Sequence, residues 1–160
     1  MATTTFTSSD ASPPGKGTYL LFFIVKRPVR LRLGRSRRRL NLGQGTYVYV
    51  GSALGPGGAR ARLRRHFHKD KRPFWDIDHL TLAVLPSGCF LFRPEIAESQ
   101  AALRLSRVLH PVDSFGAADD SSCKTHLFMS DAGLAEVQEA CLLVLRASLG
   151  AGSPIGSLTA

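Results

Sequence analysis

The sequence predicts a single α+β domain, and three observations carry that prediction. Short runs of strand-forming residues fill the first third of the chain. A Gly and Pro cluster closes that region, and several later segments repeat their apolar residues with helical spacing. A length of 160 residues suits one domain and not comfortably two. With 44% hydrophobic and 21% charged residues, the composition is that of a folding chain and argues against wholesale disorder.

Residues 1–16 are rich in Thr, Ser, Ala and Pro and read as a disordered tail. They lack the apolar centre of a secretory signal, which points to a chain that is not secreted. A single acid leaves organelle targeting open, while the absence of arginine counts against it. The domain itself is expected over 17–149. Residues 17–26 are strongly apolar and predict a strand, and residues 29–33 alternate apolar residues with Arg as a half-buried strand does. A charged turn is expected over 35–39. A further strand is predicted over 46–52, with Tyr47 and Tyr49 on one face and Thr46, Val48 and Val50 on the other.

The breaker cluster Gly55-Pro56-Gly57-Gly58 precedes a helix predicted over 59–68. Ala59, Leu63 and Phe67 form its apolar stripe, and Arg62 and His66, four residues apart, sit together at one edge. A helical turn is expected over 74–80, then strand segments over 80–85 and 89–93 around Pro86-Ser87-Gly88. Helices are predicted over 95–109, with Pro94 at its start, and over 131–148, with Asp131 as N-cap. A short strand over 126–129 lies between them. Residues 150–160 read as a flexible C-terminal tail. Trp75 is expected to fill the core, with stacking on a base as the alternative.

Charge narrows the function. Residues 11–75 hold 16 Lys and Arg against one acid, whereas residues 76–160 hold five against ten. A basic half of that strength selects polyanions, with nucleic acid as the default partner. No apolar run approaches membrane-spanning length and no lipidation motif is present, so a membrane partner is not expected. Cys89, Cys123 and Cys141 are odd in number and widely spaced. That excludes a disulfide scaffold and a four-cysteine zinc site, and predicts plain thiols in a reducing compartment.

Two strand triplets, Gly17-Thr18-Tyr19 and Tyr49-Val50-Gly51, precede the helix that pairs Arg62 with His66, and Glu98 opens a later helix. Tyr, Arg, His and Glu can supply a base for water, a cation for the scissile phosphate and an oxygen ligand for a metal. In this spacing they resemble the GIY-YIG nuclease superfamily, with Arg62-Leu63-Arg64-Arg65-His66 reproducing its Arg and His on the first helix. The likeness is closest to a small archaeal and bacterial branch of uncharacterised domains, sometimes fused to endonuclease III. It is carried by Gly45-Thr46-Tyr47-Val48-Tyr49-Val50-Gly51-Ser52-Ala53-Leu54-Gly55, by Arg65-His66-Phe67, by Trp75-Asp76-Ile77-Asp78-His79-Leu80, and by Phe115-Gly116-Ala117 with Cys123 and His126-Leu127-Phe128. The chain departs from that branch at Asp76 and His79, and it keeps only Cys123 where the branch has two close cysteines.

The resemblance implies a small, mostly antiparallel central sheet flanked by helices. It implies an endonuclease that hydrolyses phosphodiester bonds, in DNA rather than RNA, in a repair or processing context. The expected catalytic residues are Tyr19, Tyr49, Arg62, His66 and Glu98. Glu98 would be the ligand of Mg²⁺ or Mn²⁺, with Glu95 in reserve. Tyr19 or Tyr49 would orient or deprotonate the water, with Arg62 and the metal lowering the tyrosine pKa. The nucleic acid backbone is expected on Arg35, Arg37, Arg38, Arg39, Arg60, Arg64, Arg65, Lys69, Lys71 and Arg72. The compartment expected is the cytoplasm or nucleoid. A non-catalytic nucleic-acid-binding module of the same fold is the alternative reading, and a basic adaptor for an acidic protein is a weaker third.

Overall fold

The computed structural model describes residues 5–6, 15–34, 37–92, 96–113, 115–116, 122–146 and 156–159. Nine strands and four helices occur among them. The strands are β1 (Thr5–Phe6), β2 (Thr18–Val25), β3 (Val29–Arg32), β4 (Arg39–Leu42), β5 (Gly45–Ser52), β6 (Gly88–Phe92), β7 (His110–Pro111), β8 (Leu127–Ser130) and β9 (Gly156–Thr159). The helices are α1 (Gly58–Phe67), α2 (Asp76–Ala83), α3 (Glu98–Leu105) and α4 (Leu134–Arg146).

The central sheet grows from the two longest apolar runs. β2 and β5 pair antiparallel over eight residues each, from Thr18 opposite Ser52 to Val25 opposite Gly45. β6 flanks β2, and β8 and then β7 flank β5, all antiparallel. β9 continues the sheet antiparallel to β6, and β1 lies parallel to β9. β3 and β4 form a separate two-stranded sheet. The architecture is the expected α+β one, with a small, mostly antiparallel sheet between helices.

Both sheet faces are covered, so β2 and β5 are buried almost throughout. On one face Tyr19, Leu21, Phe23, Tyr47 and Tyr49 pack with Ala59 and Leu63 of α1 and Ile77 and Leu80 of α2. On the other, Leu20, Phe22, Val48, Val50, Phe90 and Phe92 pack with Ala101, Ala102 and Leu105 of α3 and Val137, Cys141 and Leu145 of α4.

Several elements differ from expectation, each for a local reason. The strand expected over 80–85 is instead the last turn of α2 and the loop after it. Ile77, Leu80 and Thr81 share a buried side at helical spacing, and the carboxylate of Asp78 accepts from the backbone N–H groups of Phe74 and Trp75, fixing the start of α2. α4 begins three residues after the expected Asp131, because Ser130 and Ala132 still serve β8 and its turn. The charged turn opens directly into β4, whose pairing with β3 the Arg-rich composition hid. Arg35, Pro94 and Glu95 lie outside the described residues. Among the described residues no helix is long and apolar enough to cross a membrane. Among the described residues Cys89, Cys123 and Cys141 form no disulfide.

Candidate active site

The period of two along β2 and β5 puts Tyr19 and Tyr49 on the same sheet face. Tyr19 stands opposite Gly51 and Tyr49 opposite Leu21, so the two rings are diagonal neighbours with centroids 6.4 Å apart. Gly51 is required for this arrangement. A Cβ there would fall on the ring and hydroxyl of Tyr19. Gly116 plays the same part for Tyr49. Its φ of +71° favours glycine, and a Cβ would come within 3.3 Å of Tyr49 Cε2.

α1 crosses this face with Leu63 inward, which brings His66 and Arg62 to the tyrosines. His66 is buried, and its Nε2 lies 2.7 Å from the Tyr19 hydroxyl. Arg62 holds its guanidinium 4.2 Å from the ring centre of Trp75. Glu98 arrives from the opposite layer, at the first turn of α3. That turn sits beside the start of β2, where the Thr18 hydroxyl donates to the Ile96 carbonyl at 2.6 Å. Tyr19, Tyr49, Arg62, His66 and Glu98 thus line one cavity of about 420 Å³. All five expected catalytic positions meet there.

His126 also lines the cavity and is a residue that sequence reasoning passed over. Its Nδ1 sits 3.1 Å from Glu98 Oε1. Its backbone is fixed on both sides, the N–H donating to the Phe115 carbonyl at 2.8 Å and the carbonyl accepting from Val50 at 2.9 Å. The motif His126-Leu127-Phe128 carried the signal, but only as part of a signature and without a role.

Burial sets the electrostatics. The Tyr19 pKa is raised because burial disfavours the phenolate. Arg62 opposes this, and Glu98 and Asp78 add to it. Burial also lifts Tyr49 well above its ordinary value, with Tyr19 and Glu98 adding to the effect and Arg62 opposing it. Arg62 does pull both tyrosines down, as expected, but desolvation outweighs it in the protein alone and the net shift is upward. His66 moves the other way, pushed down to about 3 by burial and then by Lys71, with Asp78 opposing. Tyr19 and His66 are both neutral near pH 7.

The basic residues expected to hold nucleic acid divide into two groups. Arg37, Arg39, Arg60, Arg64, Lys69 and Arg72 are exposed. Arg65 and Lys71 are instead engaged around buried Asp78. Arg65 Nη2 lies 2.7 Å from Asp78 Oδ2, and Lys71 Nζ lies 3.8 Å from Oδ1 and donates to the Thr81 hydroxyl at 2.7 Å. Burial tends to raise the Asp78 pKa, but Arg65 and the N–H groups of Phe74 and Trp75 hold it below the usual carboxylate value. Arg38 donates to the Asp113 carbonyl. Trp75 does not fill the core; it is 37% exposed at the cavity wall.

Among the described residues no group of three or more His, Cys, Asp or Glu could cage a metal. Glu98 is the one carboxylate among the described cavity-lining residues. A lone carboxylate of this kind suits a hard divalent ion that keeps most of its waters. A family model for a domain of unknown function, DUF123, matches residues 18–147. The chain belongs to the DUF123 family. The match runs from β2 past the last residue of α4 and includes every cavity-lining residue of the DUF123 domain. No curated protein and no solved structure matches the chain.

Proposed function

We propose that this DUF123 domain is a metal-dependent endonuclease of the GIY-YIG type. It would hydrolyse phosphodiester bonds in nucleic acid, DNA rather than RNA, in a repair or processing context in the cytoplasm or nucleoid. One observation supports this above the others: two tyrosines, an arginine, a neutral histidine and a carboxylate converge on one cavity, in a chain whose first half is strongly basic.

Each side chain has a role its position allows. Arg62 offers a planar fork to two phosphate oxygens and offsets the charge that builds during in-line displacement. Glu98 would hold Mg²⁺ or Mn²⁺, which when bound polarises the phosphate and lowers the pKa of a coordinated water. His126 Nδ1, 3.1 Å from Glu98 Oε1, is placed to orient the carboxylate. In the tautomer with Nε2 bare, Tyr19 O–H donates to His66. That hydrogen bond leaves the Tyr19 oxygen free to accept from and orient the attacking water, while burial keeps both side chains neutral.

The second reading is a binding module of the same fold that does not cleave. The raised pKa of both tyrosines is the observation in its favour. Incubating the protein with plasmid and with labelled oligonucleotides, with and without Mg²⁺ or Mn²⁺, separates the two. The expected result is metal-dependent cleavage that Glu98→Gln abolishes while nucleic-acid binding persists. Binding without cleavage under every metal condition would establish the module instead.

A further inference from the structure

Phe74 and Trp75 stand next to each other at the rim of the cavity, 64% and 37% exposed. Exposed aromatics of this size cost solubility, and here they are also held in place. Both backbone N–H groups donate to buried Asp78 Oδ2, at 2.9 and 3.1 Å, and Arg65 locks that carboxylate from the other side. The guanidinium carbons of Arg62 and Arg65 lie 4.2 and 5.0 Å from the Trp75 ring centre, which fixes the indole. The Phe74 ring meets the indole at 88° with centroids 5.4 Å apart, so the two ring planes form a corner.

We propose that this corner is a stacking platform for an unpaired nucleobase. It would make the substrate a nucleic acid with a single-stranded or unstacked nucleotide beside the bond at the cavity. The inference rests on the nucleic-acid reading above and deepens it. Three features select a base over an apolar protein segment. In the segment that leads into Phe74, exposed Lys69 and Arg72 outnumber exposed Asp70 and so match a phosphate chain. Aromatic faces next to such cations are how single strands are held without sequence preference. The platform also adjoins Arg62 directly, so a base on it sets its own phosphate near the catalytic cation. A base inside a duplex offers no free face to Phe74, which is why the platform discriminates by strand state.

The chain contains one tryptophan, so selectively excited tryptophan fluorescence reports on Trp75 alone. The test titrates the full chain carrying Glu98→Gln with four probes of equal length: single-stranded DNA, the same strand with abasic sites, single-stranded RNA and duplex DNA. Fluorescence quenching by the two base-bearing single strands is expected, with weaker binding of the abasic strand. Phe74→Ala should weaken base-bearing single strands by about 5- to 150-fold. It should leave the abasic strand and the duplex nearly unchanged, and Phe74→Tyr should restore binding. Quenching by DNA and RNA alike assigns the base; quenching by one alone assigns the sugar as a further determinant on the same platform. Equal affinity for abasic and base-bearing strands, or an equal loss on every probe, overturns the proposal. Metal-dependent cleavage by the unmodified protein is measured separately, so a failed platform leaves the nuclease reading standing and the reverse also holds.

Discussion

The two faces of the central sheet come from the same alternating strands and are buried to the same degree, yet they hold different chemistry. The face under α3 and α4 is closed by Leu20, Phe22, Val48, Val50, Phe90 and Phe92, with no titrating group among them. The face under α1 and α2 carries Tyr19 and Tyr49 in matching positions, and His66 beside them. On the first face burial contributes mainly stability, and the one group it shifts is the Cys141 thiol, pushed up to about 12 and away from any cavity-lining residue. On the second it also costs something, because three polar groups are desolvated and their pKa values move away from ordinary values. Such a cost is common where groups are tuned for chemistry. Substitutions on the two faces should therefore separate rate from stability.

The largest expected effect is on rate. Arg62 is the cavity's cation, whereas Arg60 and Arg64 point to solvent from the same helix. Arg62→Ala and Arg62→Lys should lower the single-turnover cleavage rate at saturating protein by roughly 10²–10³, since a point charge does not reproduce the bidentate fork. Arg60→Ala and Arg64→Ala should weaken binding and recover at higher concentration. If all four variants cleave at one saturated rate, Arg62 is a phosphate anchor like its neighbours.

The opposite result is expected from the apolar face. Leu145 is fully buried on α4, far along the sequence from any cavity-lining residue. Leu145→Ala should cost about 2–5 kcal/mol of unfolding free energy in urea titrations, by lost transfer energy and a residual cavity. Its rate per folded molecule should match the unmodified protein. A large loss of rate at full folding would mean that the two faces are coupled through the sheet.

The same contrast explains what the sequence could reveal. β2, β5 and α1 were legible because each has one strong period, and the register that joins Tyr19 to Gly51 depends on it. The five expected catalytic residues lie on or beside those elements, together with the first turn of α3. Residues 80–85 were misread because a short apolar run fits helix and strand equally. The arbiter was Asp78, a long-range capping and ion-pairing residue whose partners no local pattern names. His126 was missed for a related reason, since its meaning lies in a contact with Glu98 across 28 positions. The tyrosine pKa was misjudged because sequence shows a nearby charge but not the depth of burial, and here depth dominates.

The smallest expected effect tests that depth directly. His66 has its pKa lowered from 6.5 to about 3 by burial and by Lys71, with Arg62 and Arg65 adding to the effect and Asp78 opposing it. The unfolded chain therefore binds a proton near pH 6.5 that the folded chain refuses until about pH 3. Stability from this group is fully present above 6.5 and declines as pH falls through that window, by at most about 1.4 kcal/mol per pH unit. Asp78 also has a lowered pKa, but its contribution is lost only below its ordinary value of 3.8. Tyr19 and Tyr49 have raised values, so theirs is present below 10 and lost as pH rises beyond it. Between pH 6.5 and 4.5 the slope attributable to these groups thus belongs to His66. Urea midpoints across that interval should fall more steeply for the unmodified protein than for His66→Gln, which cannot take up the proton. The Leu145→Ala variant should keep the full slope while being less stable at every pH, because its defect lies on the face opposite His66, where the one shifted group, the Cys141 thiol, is pushed up to about 12, far above this interval. Identical slopes for His66→Gln and the unmodified protein would mean that His66 is hydrated in solution, and the desolvation that distinguishes the two faces would lose its clearest marker.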